Sequence, residues 1–146
     1  MTYFILLTLH LFAALIFVGT VFFEVLILEG VRKHVPRDMM RTLESAIGLK
    51  ARSLMPWVLM VLYGAGIGLA WHHRAGLAQP LESSFGLMLS IKILFTISVF
   101  GHFVTAMTLR RKGKLHDRHF RIIHVSLFCH MIGIVLLAKA MFYLHW

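Results

Sequence analysis

The sequence predicts an all-α integral membrane protein: a single-domain four-helix bundle with both termini outside the cytoplasm. Three observations predict it. The 146 residues are 59% hydrophobic with a mean hydropathy of +0.81, where soluble domains are about 45–50% apolar. Only 14% of residues are charged, against about a quarter in a soluble protein. The basic residues are also clustered. Twelve of the fifteen Lys and Arg fall in two blocks, Arg32–Arg52 and Arg110–Arg121, which separate apolar runs.

The apolar runs are residues 3–28, 54–70, 85–109 and 122–144, each near the roughly 20 residues that a membrane helix needs. The first carries no Asp, Glu, Lys or Arg before Glu24. It is too long for the apolar core of a cleaved signal and is expected to stay as a helix. In "MMRTLESAIGLKARSL", Met40, Leu43, Ile47 and Leu54 recur at near-helical spacing. That segment either lies along the interface as a helix or extends the second span. Pro56 is placed in the first turn or so of that span, where proline is tolerated or kinks the helix. "QPLESS" supplies a stop and an N-cap before the third span. No internal repeat is evident.

The first loop holds Arg32, Lys33, Arg37, Arg41, Lys50 and Arg52, and the third holds Arg110, Arg111, Lys112, Lys114, Arg118 and Arg121. The second has only Arg74, so loops one and three are expected in the cytoplasm. A formal charge of +9 distributed in this way marks topology or contact with anionic membrane lipid, and argues against nucleic acid. The single cysteine, Cys129, excludes an intramolecular disulfide and a cysteine-based zinc site. No serine–histidine–acid set, P-loop or HExxH is present, which excludes the common hydrolase and ATPase signatures.

The spans nevertheless contain ionisable groups, each costing about 2.5–3.5 kcal/mol at the bilayer centre on insertion scales. Counted from the helix ends, His10, Lys92 and Lys139 fall toward the outer leaflet. Glu24, His102, His124 and His130 fall toward the inner one. His102 and His130 share a level on two spans joined by a short loop, and therefore on expected antiparallel neighbours. Two level imidazoles suit the axial positions of a b-type haem. Gly101 and Gly133 beside them would give a macrocycle room, or serve helix packing equally well. His10, Phe17 and Glu24 recur every seven residues as one stripe. With Lys92 and Lys139 at its level, His10 could ligate a second haem, with a lysine on a propionate; the same set could position an acidic substrate or pass protons. Each group also has a plain reading: hydrogen bonding between helices for the histidines, snorkelling for Lys92 and Lys139, pairing with a loop arginine for Glu24. His34, His72, His73, His116, His119 and His145 fall in loops or at the terminus and read as solvated. "YGAGIG", with Gly64 and Gly68, reads as packing.

These residues resemble a known group. "LHLFAALIFVGTVFFEVLIL" is similar to the first helix of CopD-like domains and HemJ-type protoporphyrinogen oxidases, with Leu9-His10, then Phe17 and Gly19. "RSLMPWVLMVLYGAGIGL" resembles their second helix. "SIKILFTISVFGHF" resembles the third, in which a lysine precedes a histidine by about ten positions, here Lys92 and His102. "RHFRIIH" stands where the HemJ branch has a basic-aromatic approach to its last helix. That branch's Asn-Glu-x-Pro segment is absent here, replaced by "IIHVSLFCH", and its first-helix Trp and Pro-Arg are replaced by Phe17 and Val25-Leu26.

The resemblance implies a bacterial inner-membrane protein that binds haem b, with His10 and Lys92 as the best-matched functional positions. Electron transfer or tetrapyrrole oxidation would then engage His10 and Lys92 as catalytic groups. The iron ligands would come from His10, His102 and His130, and Lys92 would contact a propionate or substrate anion. A redox partner protein is implied but not identified, and a homodimer is left open. Two other readings stand beside this one. Copper handling, through the CopD side, would draw on Cys129-His130 or His72-His73, since the nine methionines do not group. A membrane subunit or assembly factor would use its polar residues only to dock a partner.

Overall fold

A computed structural model describes residues 1–113 and 117–144, the side chains of 117–120 excepted. Lys114, His116 and His145, and the side chains of Arg118 and His119, lie outside the described residues. Among the described residues every regular element is a helix. The chain divides into two compact units, Met1–His72 and His73–Trp146.

The first unit is an antiparallel pair. Helix α1 spans Thr2–Val31 and passes through a π-helical segment, Phe23–Leu28. Helix α2, Arg37–His72, is 36 residues long. At about 1.5 Å per residue it measures about 54 Å, against roughly 30 Å of hydrocarbon. The stretch from Met40 to Leu54 therefore belongs to α2 itself, which settles the choice between an interfacial helix and an extended span in favour of extension. Pro56 consequently lies well inside α2 and not in its first turn. Its missing N–H leaves the Arg52 carbonyl without the usual helical donor, yet the helix runs on. Arg32 ties the turn between the helices, meeting Glu29 at 3.4 Å and Glu44 on α2. These side chains are substantially exposed, so the pairs contribute little.

The contacts between α1 and α2 run in opposite directions along the two chains. Tyr3 meets His72 with ring centroids 5.6 Å apart, Leu6 packs on Gly68, and His10 packs on Gly66. Farther in, Ala13, Phe17 and Val21 are buried on α1, and Val58, Leu59 and Ala65 on α2. The four-residue spacing of the α1 set places it on one helical face.

In the second unit a short helix, α3 (Arg74–Ala78), leads into α4 (Ser84–Arg111), which pairs with α5 (Asp117–Tyr143). Ser83 caps α4 as "QPLESS" predicts, its hydroxyl accepting from the Gly86 amide at 3.0 Å. Met88, Leu89 and Met141 form the buried core at this end, with Phe85, Ile93 and Leu137 packed against it. Phe85 meets Phe142 at 5.9 Å.

All four long helices, Thr2–Val31, Arg37–His72, Ser84–Arg111 and Arg121–Tyr143, are long and apolar enough to cross a membrane. In each, only 17% of the most apolar stretch is buried. Leu11, Phe12, Leu15, Trp57, Ile67 and Leu94 are among the exposed side chains, a surface whose natural solvent is lipid.

A tight backbone approach lies where α3 meets α4. A Cβ on Gly86 would stand 2.6 Å from the Gly76 carbonyl oxygen, and backbone cannot swing aside as a side chain can. Gly86→Ala should therefore destabilise the second unit by about 1–3 kcal/mol. Unfolding in mild detergent, compared with Gly64→Ala, where nothing lies within 4 Å, checks this.

Candidate functional site

Four polar side chains meet between α4 and α5. On α4 they are Ser98 and His102, within "SVFGH"; on α5 they are Ser126 and His130, within "SLFCH". A residue and the one four positions later share a helical face, so each helix presents a serine and a histidine one turn apart. Antiparallel packing then sets the serine of one helix opposite the histidine of the other. The Ser98 Oγ lies 3.0 Å from His130 Nε2, and the Ser126 Oγ lies 2.9 Å from His102 Nε2. Within its own helix, each histidine directs Nδ1 to the carbonyl of its serine: His102 to Ser98 at 2.7 Å, His130 to Ser126 at 2.8 Å.

That pattern dictates the tautomer. A carbonyl oxygen only accepts, so Nδ1 carries the hydrogen in both rings, and the neutral ring keeps its lone pair at Nε2. The serine hydroxyls then donate to Nε2. His34 and His72 also bond the carbonyl four residues back; the serine opposite is what distinguishes His102 and His130. The two rings lie 5.2 Å apart at 58°, and all four residues are half-buried.

The same geometry bears on the expected haem. A shared iron would need both Nε2 atoms on the metal, with the macrocycle between the rings. Here both Nε2 atoms are engaged by serines, and rings this close and this tilted leave no slot for a porphyrin. The room expected at Gly133 is filled as well. A Cβ there would stand 2.5 Å from Phe95 Cε2, and the Phe95 ring packs on His130 at 5.4 Å. Gly101 faces open space. The level shared by His102 and His130 is thus met, but as a closed polar cluster; as packed, the pair does not fit as two axial ligands of one haem.

His10 is built differently. It sits half-buried on α1 and directs Nδ1 to the Leu62 carbonyl on α2 at 2.9 Å. Gly66 makes the approach possible, because a Cβ there would stand 3.1 Å from the imidazole Cε1. Part of "YGAGIG" thus accommodates a histidine as well as packing Leu6. The Nδ1–H bond to a carbonyl is the support commonly given to metal-ligating histidines, leaving Nε2 as the donor atom.

The remaining candidates are dispersed. Lys92 on α4 is half-buried and makes no hydrogen bond or ion pair among the described residues. Lys139 is exposed, 5.7 Å above the Tyr143 ring, as a snorkelling residue would be. Glu24 falls within the π-helical segment. Cys129 is exposed. His10 belongs to the first unit, and Lys92 and Lys139 to the second. No protein-family model, curated protein or solved structure matches the chain.

Ser98 and Ser126 are absent from the sequence-derived candidates. Their signal is present in the sequence: "SVFGH" and "SLFCH" share serine, phenylalanine and histidine at the same offsets. Ser98→Ala should destabilise the α4–α5 pair by about 0.5–2 kcal/mol, the range of polar bonds between membrane helices. Ser126→Ala should cost a similar amount. A double-mutant cycle of Ser98→Ala with His130→Ala, read by unfolding in detergent, measures the coupling; an additive cycle would contradict the bond.

Proposed function

We propose that this is a haem-b-binding integral membrane protein of electron transfer or tetrapyrrole oxidation, with His10 as an iron ligand. The observation that carries the reading is the His10–Leu62 bond. It holds an imidazole inside an apolar span with Nε2 as the basic nitrogen, and a neutral ring so held would supply a nitrogen to haem iron. Haem would supply the one-electron chemistry, and this chain's part is to hold and orient it. Lys92 suits an anionic group such as a propionate or a substrate carboxylate, since a half-buried ammonium without a partner among the described residues gains most from a charge of opposite sign. The resemblance to HemJ-type and CopD-like helices supports the same assignment for His10 and Lys92. On this reading the protein lies in a bacterial inner membrane with both termini outside, a placement that the two basic loops support.

The test is a reduced-minus-oxidised visible spectrum of the protein purified in mild detergent, with haem quantified per chain. A b-type haem spectrum is expected. His10→Ala should abolish it, whereas His102→Ala should leave it in place, because the Ser–His cluster is not a ligand set in this reading. Gly66→Val should weaken haem retention by pushing the His10 ring aside. A colourless protein from cells supplied with haem precursor overturns the proposal.

A further inference from the structure

The Ser–His cluster has a chemistry that haem binding does not use. We infer that Ser98, His102, Ser126 and His130 form a proton-binding site that is neutral at rest and takes up a single proton without any movement of α4 or α5.

The inference rests on the kind of partner each ring nitrogen has. Nδ1 of both rings faces a carbonyl, which accepts a hydrogen whether the ring is neutral or charged. Nε2 of both faces a serine hydroxyl, which can donate or accept. A backbone amide at Nε2 would hold the ring neutral, and a second carbonyl would hold it charged. The hydroxyl permits both states. When His130 gains a proton, Nε2–H donates to the Ser98 oxygen across the same 3.0 Å, and only the hydroxyl hydrogen has to turn.

That hydrogen has a place to go. Elsewhere in this chain Thr20, Thr42, Ser90, Thr105 and Thr108 each donate to the carbonyl four residues back, at 2.7–3.1 Å. For Ser98 the equivalent acceptor is the Leu94 carbonyl, and for Ser126 it is that of Ile122. A helical serine reaches it by rotation about one bond. The proton uptake therefore reverses one hydrogen bond and breaks none.

The limit of one proton follows from the distance between the rings. Two imidazolium ions with centroids 5.2 Å apart, in surroundings far less polarisable than water, repel strongly. Among the described side chains of these helices there is no anion to offset that repulsion. The titratable side chains described on α4 and α5 are Lys92, Arg110 and Arg111, then Arg121, His124, Cys129, Lys139 and Tyr143, with His102 and His130 themselves. The one carboxylate on either helix is Asp117, whose side chain lies outside the described residues. The near-two-fold arrangement makes the two rings almost equivalent acceptors, so that the proton taken by one makes uptake by the other less favourable.

The experiment is nitrogen NMR of the full chain labelled with 15N-histidine in lipid bilayers, titrated from alkaline to acid pH. His102→Gln and His130→Gln assign the two rings among the ten histidines. At alkaline pH both rings should show the Nδ1–H tautomer with a hydrogen-bonded Nε2. On acidification the pair should take up protons in two steps separated by more than about one pH unit, or about tenfold in proton concentration, as coupled sites do. Each single-histidine variant should titrate in one step. If a histidine variant fails to fold, Ser98→Ala and Ser126→Ala, which keep both rings and alter the partner at one Nε2 each, supply the assignment. Uptake of both protons in a single step overturns the inference, as does an Nε2–H tautomer, or rings that stay neutral well below the ordinary imidazole range. None of these readings involves His10, so the result is independent of haem.

Discussion

The hydrocarbon interior offers a polar side chain no water to bond, and the arrangement of this molecule follows from that constraint. A polar group left unpaired there costs several kcal/mol, so each must find its partner inside the protein. The hydroxyls of Thr20, Ser90, Thr105 and Thr108 satisfy it locally, each on the carbonyl one turn back. The histidines satisfy it at Nδ1 by carbonyls and, for His102 and His130, at Nε2 across the helix pair. Each unit thereby obtains specificity from a few polar contacts placed among apolar side chains that lipid would solvate equally well.

Those polar contacts need the backbones close together, and small residues provide the proximity. Gly66 admits His10, Gly68 admits Leu6, and Gly133 admits Phe95. In a membrane, packing and hydrogen bonds take over the part that the hydrophobic effect plays between helices in water. The glycines and the polar residues are for this reason coupled: His10 reaches the Leu62 carbonyl only because the residue one turn further along α2 has no side chain. Phe95 acts in both roles, filling the notch at Gly133 and covering one side of the His130 ring.

Much of this was legible in the sequence, because the strongest signals were long ones. Four apolar runs, the Ser83 cap and the common level of His102 and His130 all come from spacing and hydropathy, which lipid enforces over whole helices. Three features were not. Helix α2 begins at Arg37: the spacing of Met40, Leu43, Ile47 and Leu54 gave a helix there but left open whether it joined the span, because hydropathy marks only the apolar part. The space at Gly133 depends on which side chain of the opposite helix enters it, and a single sequence does not state that pairing. The serines were overlooked because a lone serine in a span is unremarkable; only the repeated offset between serine and histidine, read on both helices together, gives them meaning.

The π-helical segment Phe23–Leu28 has a consequence for how this chain could have arisen and could still change. A π segment accommodates one residue beyond the α-helical count. It separates the face built by His10, Ala13 and Phe17 from the part of α1 that reaches Arg32 and the turn into α2. Loss of one residue within 23–28 would close the segment to a regular helix while leaving both the His10 contacts and the face of the helix end next to Arg32 in place. The first helix is thus modular along its length: a one-residue change in length at that point is absorbed within the π segment and leaves the contacts on either side of it in register.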